Sequence, residues 1–260
     1  MGLILSLLSL GMLISFRMIR FTDITVDGSI TLGACISALL ISKGYSPWLA
    51  IVLSTLAGAL AGSCTGILYT KFKIQKILAG ILVMTALYSI NLRIMGRSNI
   101  PLLDQHTVSK GLQHLLEGLA IETSKLNILG WLVPAGDIAD FISSAMFAII
   151  VGLGLGFFLL THYGTALRAT GNNPRMVRAQ GINNKTMVVF SLALANALVA
   201  LSGSLLAQYQ GFADVQMGIG MMIWGLASII IGEALVGKRS IAMSISGVIL
   251  GTILFRLLIA

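Results

Sequence analysis

The chain has 260 residues, of which 57% are hydrophobic and only 10% are charged, and its mean hydropathy is +0.96. A soluble domain carries roughly 25% charged residues, so this composition excludes a water-soluble protein and predicts a membrane protein. The net charge of +8 does not indicate nucleic-acid binding, because most of the seventeen Lys and Arg residues flank apolar segments, where basic residues set membrane orientation.

Apolar segments that could cross a bilayer recur along the whole chain, and a crossing helix needs about 20 such residues. They lie at about residues 2–19, 30–42, 47–70, 77–95, 139–161, 186–208, 217–236 and 241–260. We therefore expect one all-α, polytopic membrane domain over residues 1–260, with about eight transmembrane helices. The last segment has no polar flank after Arg256, which leaves open whether a further helix follows.

Basic residues cluster in alternate loops, which lie on the same side of a membrane. The clusters are Arg17 and Arg20; Lys71, Lys73 and Lys76; Arg168, Arg175, Arg178 and Lys185; and Lys238 and Arg239. Short cytoplasmic loops are rich in Lys and Arg, so we expect this side to be cytoplasmic. The segment at about 96–138 would then be an outer loop. It is either a solvated loop or carries a helix that lies on the membrane surface or on the bundle, with an apolar face of Leu112, Leu115, Leu116 and Leu119.

Two carboxylates, Asp23 and Asp27, interrupt the apolar sequence before the second segment. Carboxylates within a membrane are costly, so they indicate a function, here a place on the translocation path beside a broken helix. The competing interpretation places them at the cytoplasmic membrane surface, with Asp27 capping the second span. The sequence does not decide between the two.

Small residues recur every four positions on three of the predicted spans. They are Ser54, Gly58, Gly62 and Gly66; Gly152 and Gly156; and Gly247 and Gly251. Such faces allow helix backbones to approach closely. The partner of each face could be a helix of this chain or of a second copy.

The predicted cytoplasmic loop at about 162–185 contains a short helix with both ends specified. Asn173 is a good N-cap, Pro174 suits the first helical position, and Gly181 suits a left-handed stop. Helical spacing puts Met176, Val177 and Gln180 on one side and two arginines on the other, which predicts an apolar knob in the cytoplasm.

A capped helix between two spans is what a membrane domain needs to dock into a groove on a soluble partner and transmit its movements. Setting the topology alone would not require caps, although a basic loop with only that role is the alternative interpretation. The residues expected to take part in coupling are Arg168, Gly171, Asn173, Pro174, Arg175, Met176, Val177, Arg178 and Gly181.

The seventh apolar segment opens much as the second does. Asp214 with Gly218 and Gly220 resembles Asp27 with Gly28, which hints at an inverted repeat. The translocation path would then lie where the two elements face each other. Tyr209, Phe212 and Trp224 would be near that path, or would belong to an interfacial aromatic belt.

The sequence contains no motif typical of an enzyme or of a metal site. Residues 232–239 approach the phosphate-binding loop, but Arg239 stands where Ser or Thr is required, and the segment follows a membrane span. The His and Cys residues lack ligand spacing. We therefore expect a protein that is not an enzyme and holds no cofactor or metal of its own.

The loop at 164–182 resembles the coupling loop of ATP-binding-cassette importer permeases, in the group that serves branched-chain amino acids and ribose-type sugars. The resemblance continues at residues 14–34, 209–220 and 225–235. Together these segments look most like the subgroup described as tryptophan or tyrosine importer permeases. Such permeases begin some residues earlier and continue past another helix.

The resemblance implies a transmembrane permease that moves a small solute, such as an aromatic amino acid, into the cytoplasm across the bacterial cytoplasmic membrane. It also implies a homodimer of permeases, two cytoplasmic ATPase subunits that bind ATP and Mg, and an external substrate-binding protein.

Two other functions remain open from the residues alone. A gradient-driven secondary transporter or channel would use Asp23, Asp27 and Asp214 as ion-binding carboxylates. An intramembrane enzyme would need Asp23 and Asp27 in one dry cavity with separated pKa values. The sequence does not identify the substrate.

Overall fold

The computed structural model describes residues 1–102, 107, 108, 110, 125–128, 131–237 and 240–259. In chain order the helices are α1 Gly2–Met12, α2 Thr25–Ser42, α3 Pro47–Thr70, α4 Lys76–Met95, α5 Ala135–Leu160, α6 His162–Asn172, α7 Pro174–Ala179, α8 Asn184–Gln210, α9 Met221–Val236 and α10 Ile241–Ile259. Antiparallel strands β1 Asn99–Pro101 and β4 Phe212–Asp214 pair with each other, as do β2 Lys125–Ile128 and β3 Trp131–Pro134.

Six of the described helices are long and apolar enough to cross a membrane, namely α2, α3, α4, α5, α8 and α10. Two shorter apolar helices, Gly2–Met18 and Met221–Val236, correspond to the first and seventh predicted segments. The prediction of a polytopic helical membrane protein is therefore confirmed. The predicted second span began too late, because α2 starts at Thr25 and includes Asp27.

The first predicted span is not a uniform helix. After α1 the chain continues as a π-helical turn over Leu13–Met18, closed by the hydrogen bond that the Ile19 N–H donates to the Ile14 carbonyl at 3.1 Å. Turns of this type insert an extra residue per turn and often lie at functional sites. The turn brings Arg17 and the connector that follows it to one end of the bundle.

The short strands were not predicted. In the β1–β4 pair, Ile100 lies opposite Ala213 and both side chains are buried. Three or four residues are too few to show the alternation that identifies a strand. About half of the predicted outer loop, including the apolar face at Leu112–Leu119, lies outside the described residues.

Helix α8 is the centre of the bundle, and α1, α2 and α3 pack around it. Nearly all of its residues from Ala195 to Gln208 are buried. Fully buried Leu and Ile side chains of α1 and the π-helical turn complete the main core, among them Leu7, Leu8, Leu10, Leu13 and Ile14.

Two of the three predicted small-residue faces pack closely within this chain. A Cβ on Gly58 or Gly62 would collide with the backbone of α8, at the carbonyl oxygens of Asn196 and Leu192. A Cβ on Gly247 or Gly251 would likewise collide with the backbone of α9, whereas one on Gly152 or Gly156 would make only ordinary contact with side chains of α10. Close backbone contact therefore fixes α3 on α8 and α10 on α9.

We expect Gly62→Val to destabilise the folded chain strongly, because its side chain has no space beside the Leu192 carbonyl. Overpacking costs roughly 1–3 kcal/mol where neighbours can shift, and here the neighbour is backbone. The matched control is Gly154→Val, at a helical glycine where an added Cβ would have nothing within 4 Å. Thermal unfolding of both detergent-purified variants measures the difference, and equal midpoints would contradict the packing.

Candidate functional site

The basic side of the bundle, defined by the loops at 71–76 and 162–185, carries the predicted coupling helix as α7. Asn173 is its N-cap and accepts a hydrogen bond from the Met176 N–H at 3.2 Å, and Pro174 is its first residue. Gly181 has φ +83°, in the left-handed region. The predicted ends of this helix are therefore confirmed.

The segment before it is also helical, which the sequence did not predict. Thr161 caps α6 by accepting a hydrogen bond from the Gly164 N–H at 3.3 Å. Arg168 turns its guanidinium back onto the end of α5, where it donates to the Leu159 carbonyl at 3.1 Å. Arg168 thus fixes the junction of α5 and α6, and only indirectly serves the surface of α7.

Helix α7 exposes fewer apolar side chains than the sequence predicted. Met176 is 54% exposed, and Arg175 and Arg178 are exposed beside it. Val177 has no exposed surface, so its predicted place on the outward apolar face is wrong. Val177 is buried because its side of α7 faces the bundle, while the neighbouring Met176 projects outward.

The loop at 162–185 contacts the end of the π-helical turn directly. A Cβ on Gly171 would collide with the Met18 carbonyl, so only glycine allows this backbone approach. Beside it, the Arg20 guanidinium donates to the Asn172 side-chain oxygen at 3.3 Å. A displacement of α6 and α7 would therefore move the connector between the π-helical turn and α2.

That connector leads to a buried polar network, which we call the Asp23 network and define as Asp23, Thr25, Ser29, Thr65 and Asn196. The Asn196 amide donates to the Asp23 carboxylate at 2.7 Å, and its oxygen accepts from the Ser29 hydroxyl at 2.7 Å. The Thr25 N–H donates to Asp23 at 3.0 Å. The network joins α2, α3 and α8.

Asp23 lies in this connector, and 1% of its surface is exposed. Burial raises the pKa of its carboxyl above the ordinary value, while the hydrogen bonds from Thr25 and Asn196 oppose that rise. The Thr25 and Thr65 hydroxyls share a hydrogen bond of 2.7 Å, which connects α2 to α3. A buried carboxylate held in this way requires its partners.

Asp27 lies in the first turn of α2 but caps a different helix from the one predicted. Its carboxylate accepts hydrogen bonds from the Gly220 N–H at 3.1 Å and the Met222 N–H at 2.7 Å, at the beginning of α9. A carboxylate there satisfies unpaired N–H groups and complements the positive end of the helix dipole. The two segments that the sequence compared, around Asp27 and around Gly218, do face each other, since a Cβ on Gly218 would collide with the Asp27 carbonyl.

The other residues predicted for the translocation path are spread over the molecule. Asp214 ends β4 and accepts from the Gln216 N–H at 2.7 Å. Phe212 lies opposite Pro101 in the strand pair. Trp224 packs on Phe255, with ring centroids 5.3 Å apart. None of the three joins the Asp23 network.

Tyr209, at the end of α8, lines a cavity of about 580 Å³ on the side opposite the basic loops, together with Asp140 and Arg256. The structure thus places Tyr209 away from both Asp23 and Asp27.

Several polar residues within the helices were not predicted to matter. Asn196 and Gln208 lie in α8, and Asn91 in α4 donates to the Gly28 carbonyl at 3.3 Å. Arg17 pairs with Glu233 at 3.0 Å and so joins the π-helical turn to α9. An amide within an apolar span is a visible signal, because it must find a partner in the bundle.

We expect Asp27→Ala to lower the unfolding temperature more than Asp27→Asn does. Alanine leaves two N–H groups of α9 unpaired, at a cost of roughly 1 kcal/mol for a lost cap, while asparagine can still accept one. Thermal melting of the purified variants measures this order. An alanine variant as stable as the wild type would show that Asp27 does not hold α9.

Comparison with known proteins identifies similar sequences over the full length. A family model described as branched-chain amino acid transport system / permease component matches residues 1–260. The tyrosine transport system permease protein of Clostridioides difficile is 40% identical over 255 residues, which cover 98% of this chain and 78% of that protein. An uncharacterised protein of Rickettsia prowazekii is 36% identical over 232 residues, covering 89% of this chain and 74% of that protein.

A more distant relative is the autoinducer 2 import system permease protein of Escherichia coli. It is 28% identical over 262 residues, which cover 96% of this chain and 65% of that protein. No solved structure matches the chain.

Proposed function

The chain belongs to the family described as branched-chain amino acid transport system / permease component, and on that basis we propose that it imports an amino acid, driven by partner ATPase subunits. As a member of this family it is a multi-pass membrane permease component of a transport system. The observation that supports ATPase coupling is the capped helix α7, which presents Met176 and Arg175 outward from the basic side.

We propose an aromatic amino acid as the substrate. The support is the identity of 40% to the tyrosine transport system permease protein of Clostridioides difficile, which extends over 98% of this chain. The autoinducer 2 permease is less similar, at 28% identity. Selectivity in such a system also depends on the external binding protein that we propose as a partner.

The proposed assembly has two copies of this chain, two cytoplasmic ATPase subunits that bind ATP and Mg, and one external substrate-binding protein. It lies in the bacterial cytoplasmic membrane, with the basic side in the cytoplasm. The positions of the basic loops support this orientation, because Lys and Arg are enriched in short cytoplasmic loops.

We propose a route by which ATPase movement reaches the interior, and the following contacts support it. A displacement of α7 and α6 acts on the Met18 carbonyl through Gly171 and on Arg20 through Asn172. Asp23 follows Arg20 by three residues in the connector. Its carboxylate accepts a hydrogen bond from Asn196, which belongs to the central helix α8. Two discrete arrangements of this network would correspond to outward-open and inward-open states.

Reconstitution tests the proposal. The chain is placed in liposomes with its ATPase subunits and binding protein, and uptake of radiolabelled tyrosine is followed with ATP and with a non-hydrolysable analogue. We expect uptake in the presence of ATP and Mg, and no uptake with the non-hydrolysable analogue. Uptake by this chain without ATPase, driven by an ion gradient, would contradict the proposal.

A further inference from the structure

A cleft on the basic side carries an unusual concentration of positive charge. Its volume is about 550 Å³, and it lies between the α3–α4 connection and the coupling loop. Five basic side chains line it: Arg20, Lys73, Lys76, Arg178 and Lys185. Within the described part of the chain, no carboxylate lines the cleft and none of the five forms an ion pair.

The backbone at the cleft is also unusual. Among the described residues other than glycine, the two with positive φ are Arg20 and Lys73, both at +56°, and both line the cleft. Left-handed conformations are costly for side chains of this kind and tend to persist where a ligand site requires them. Two such residues, both basic and both lining a cleft that no described carboxylate lines, indicate a site for an anion.

The height of the cleft in the bundle indicates which anion. Its wall includes Tyr69 and Thr70 at the end of the membrane-spanning helix α3, and Lys76 at the start of α4. The Lys76 ammonium lies 5.7 Å from the Phe21 ring centroid and 5.8 Å from that of Tyr69. Residues at the ends of spanning helices lie at the level of the lipid headgroups.

We propose that this cleft binds the phosphate headgroup of an anionic phospholipid from the leaflet on the basic side. Basic pockets between transmembrane helices on the cytoplasmic side recognise such headgroups. The lipid would contact the coupling loop at Gly171, Pro174 and Arg178. It would thereby neutralise the charges that otherwise repel each other beneath α7, and would support that helix.

The test removes two charges from the cleft and two elsewhere. Lys73→Gln/Lys185→Gln changes two exposed side chains, so folding should persist. Lys43→Gln/Lys71→Gln is the matched control, because both lysines are exposed and neither lines the cleft. Each purified chain is exchanged into nanodiscs of phosphatidylcholine and phosphatidylglycerol, and retained lipids are counted by native mass spectrometry after gentle release.

We expect the wild type and the control to retain phosphatidylglycerol over phosphatidylcholine, and the cleft variant to retain it roughly tenfold less, since each basic residue strengthens attraction to anionic lipid several-fold. Equal retention by all three would overturn the proposal. A second arm adds inorganic phosphate to phosphatidylcholine nanodiscs; binding of phosphate there, with no preference for phosphatidylglycerol, would assign the cleft to a soluble anion instead. A third arm pulls down the ATPase subunit with each tagged chain; loss of ATPase from the cleft variant alone, with unchanged lipid retention, would make the cleft a protein-docking surface and overturn the proposal.

Discussion

We expect ATP-driven uptake to fall at least tenfold when Met176 is replaced by glutamate, while the chain remains folded in the membrane. Met176 is the exposed apolar side chain of α7, and a buried anchor at the centre of an interface contributes about 2 kcal/mol or more, which corresponds to roughly thirtyfold in affinity. A carboxylate in the partner's groove would lose this contact and add a desolvation cost. Because Met176 is 54% exposed, the substitution leaves the core of the permease intact.

The conservative variant Met176→Leu keeps the apolar contact and should retain most of the uptake. Arg175→Glu should weaken coupling through charge, and Gly181→Val by straining the left-handed stop at φ +83°. ATPase binding to detergent-solubilised permease and uptake in liposomes are measured for each variant. If Met176→Glu bound the ATPase and imported substrate as well as the wild type does, α7 would not be part of the ATPase interface.

Asn196→Leu should disrupt the Asp23 network and strongly reduce both stability and uptake. Leucine is similar in size but removes the amide that donates to Asp23 at 2.7 Å, so a buried carboxylate loses a partner. Leaving a buried polar group unsatisfied costs roughly 1–3 kcal/mol, and more for a charged one. The Ser29 hydroxyl loses its acceptor in the same substitution.

An exchange variant separates loss of the network from loss of packing. Asp23→Asn/Asn196→Asp keeps one amide and one carboxylate in the pair, so a hydrogen bond between the two positions can still form. We expect its unfolding midpoint to lie clearly above that of Asn196→Leu. If the exchange variant were no more stable than Asn196→Leu, the hydrogen bond would not be what holds the two positions together.

Local capping chemistry made α7 predictable. An N-cap, a first-position proline and a left-handed glycine act within a few residues of each other, so Asn173, Pro174 and Gly181 could be assigned from sequence. The orientation of Val177 could not be predicted from sequence. Which side of a short helix is buried depends on the surface against which the helix packs.

Contacts between distant parts of the chain account for the other differences between the sequence-based predictions and the structure. The glycines of α3 predicted close packing, but only the structure identifies α8 as their partner. Asp27 is tolerated within α2 because its carboxylate accepts a hydrogen bond from the Gly220 N–H at the start of α9. Gly220 is 193 residues away in sequence. The π-helical turn at Leu13–Met18 leaves no signal in an apolar sequence. Hydropathy thus predicts the spans, while the connections between them depend on contacts between residues far apart in the chain.

Isolation of the assembly from its native membrane tests the central claim most directly. The chain is tagged, crosslinked gently, solubilised in mild detergent, and analysed by mass spectrometry for co-purifying proteins and their stoichiometry. We expect an ATPase subunit in equal number to the permease, crosslinked to α7 near Met176. Recovery of this chain without an ATPase, after crosslinking, would contradict ATPase coupling and favour a gradient-driven transporter.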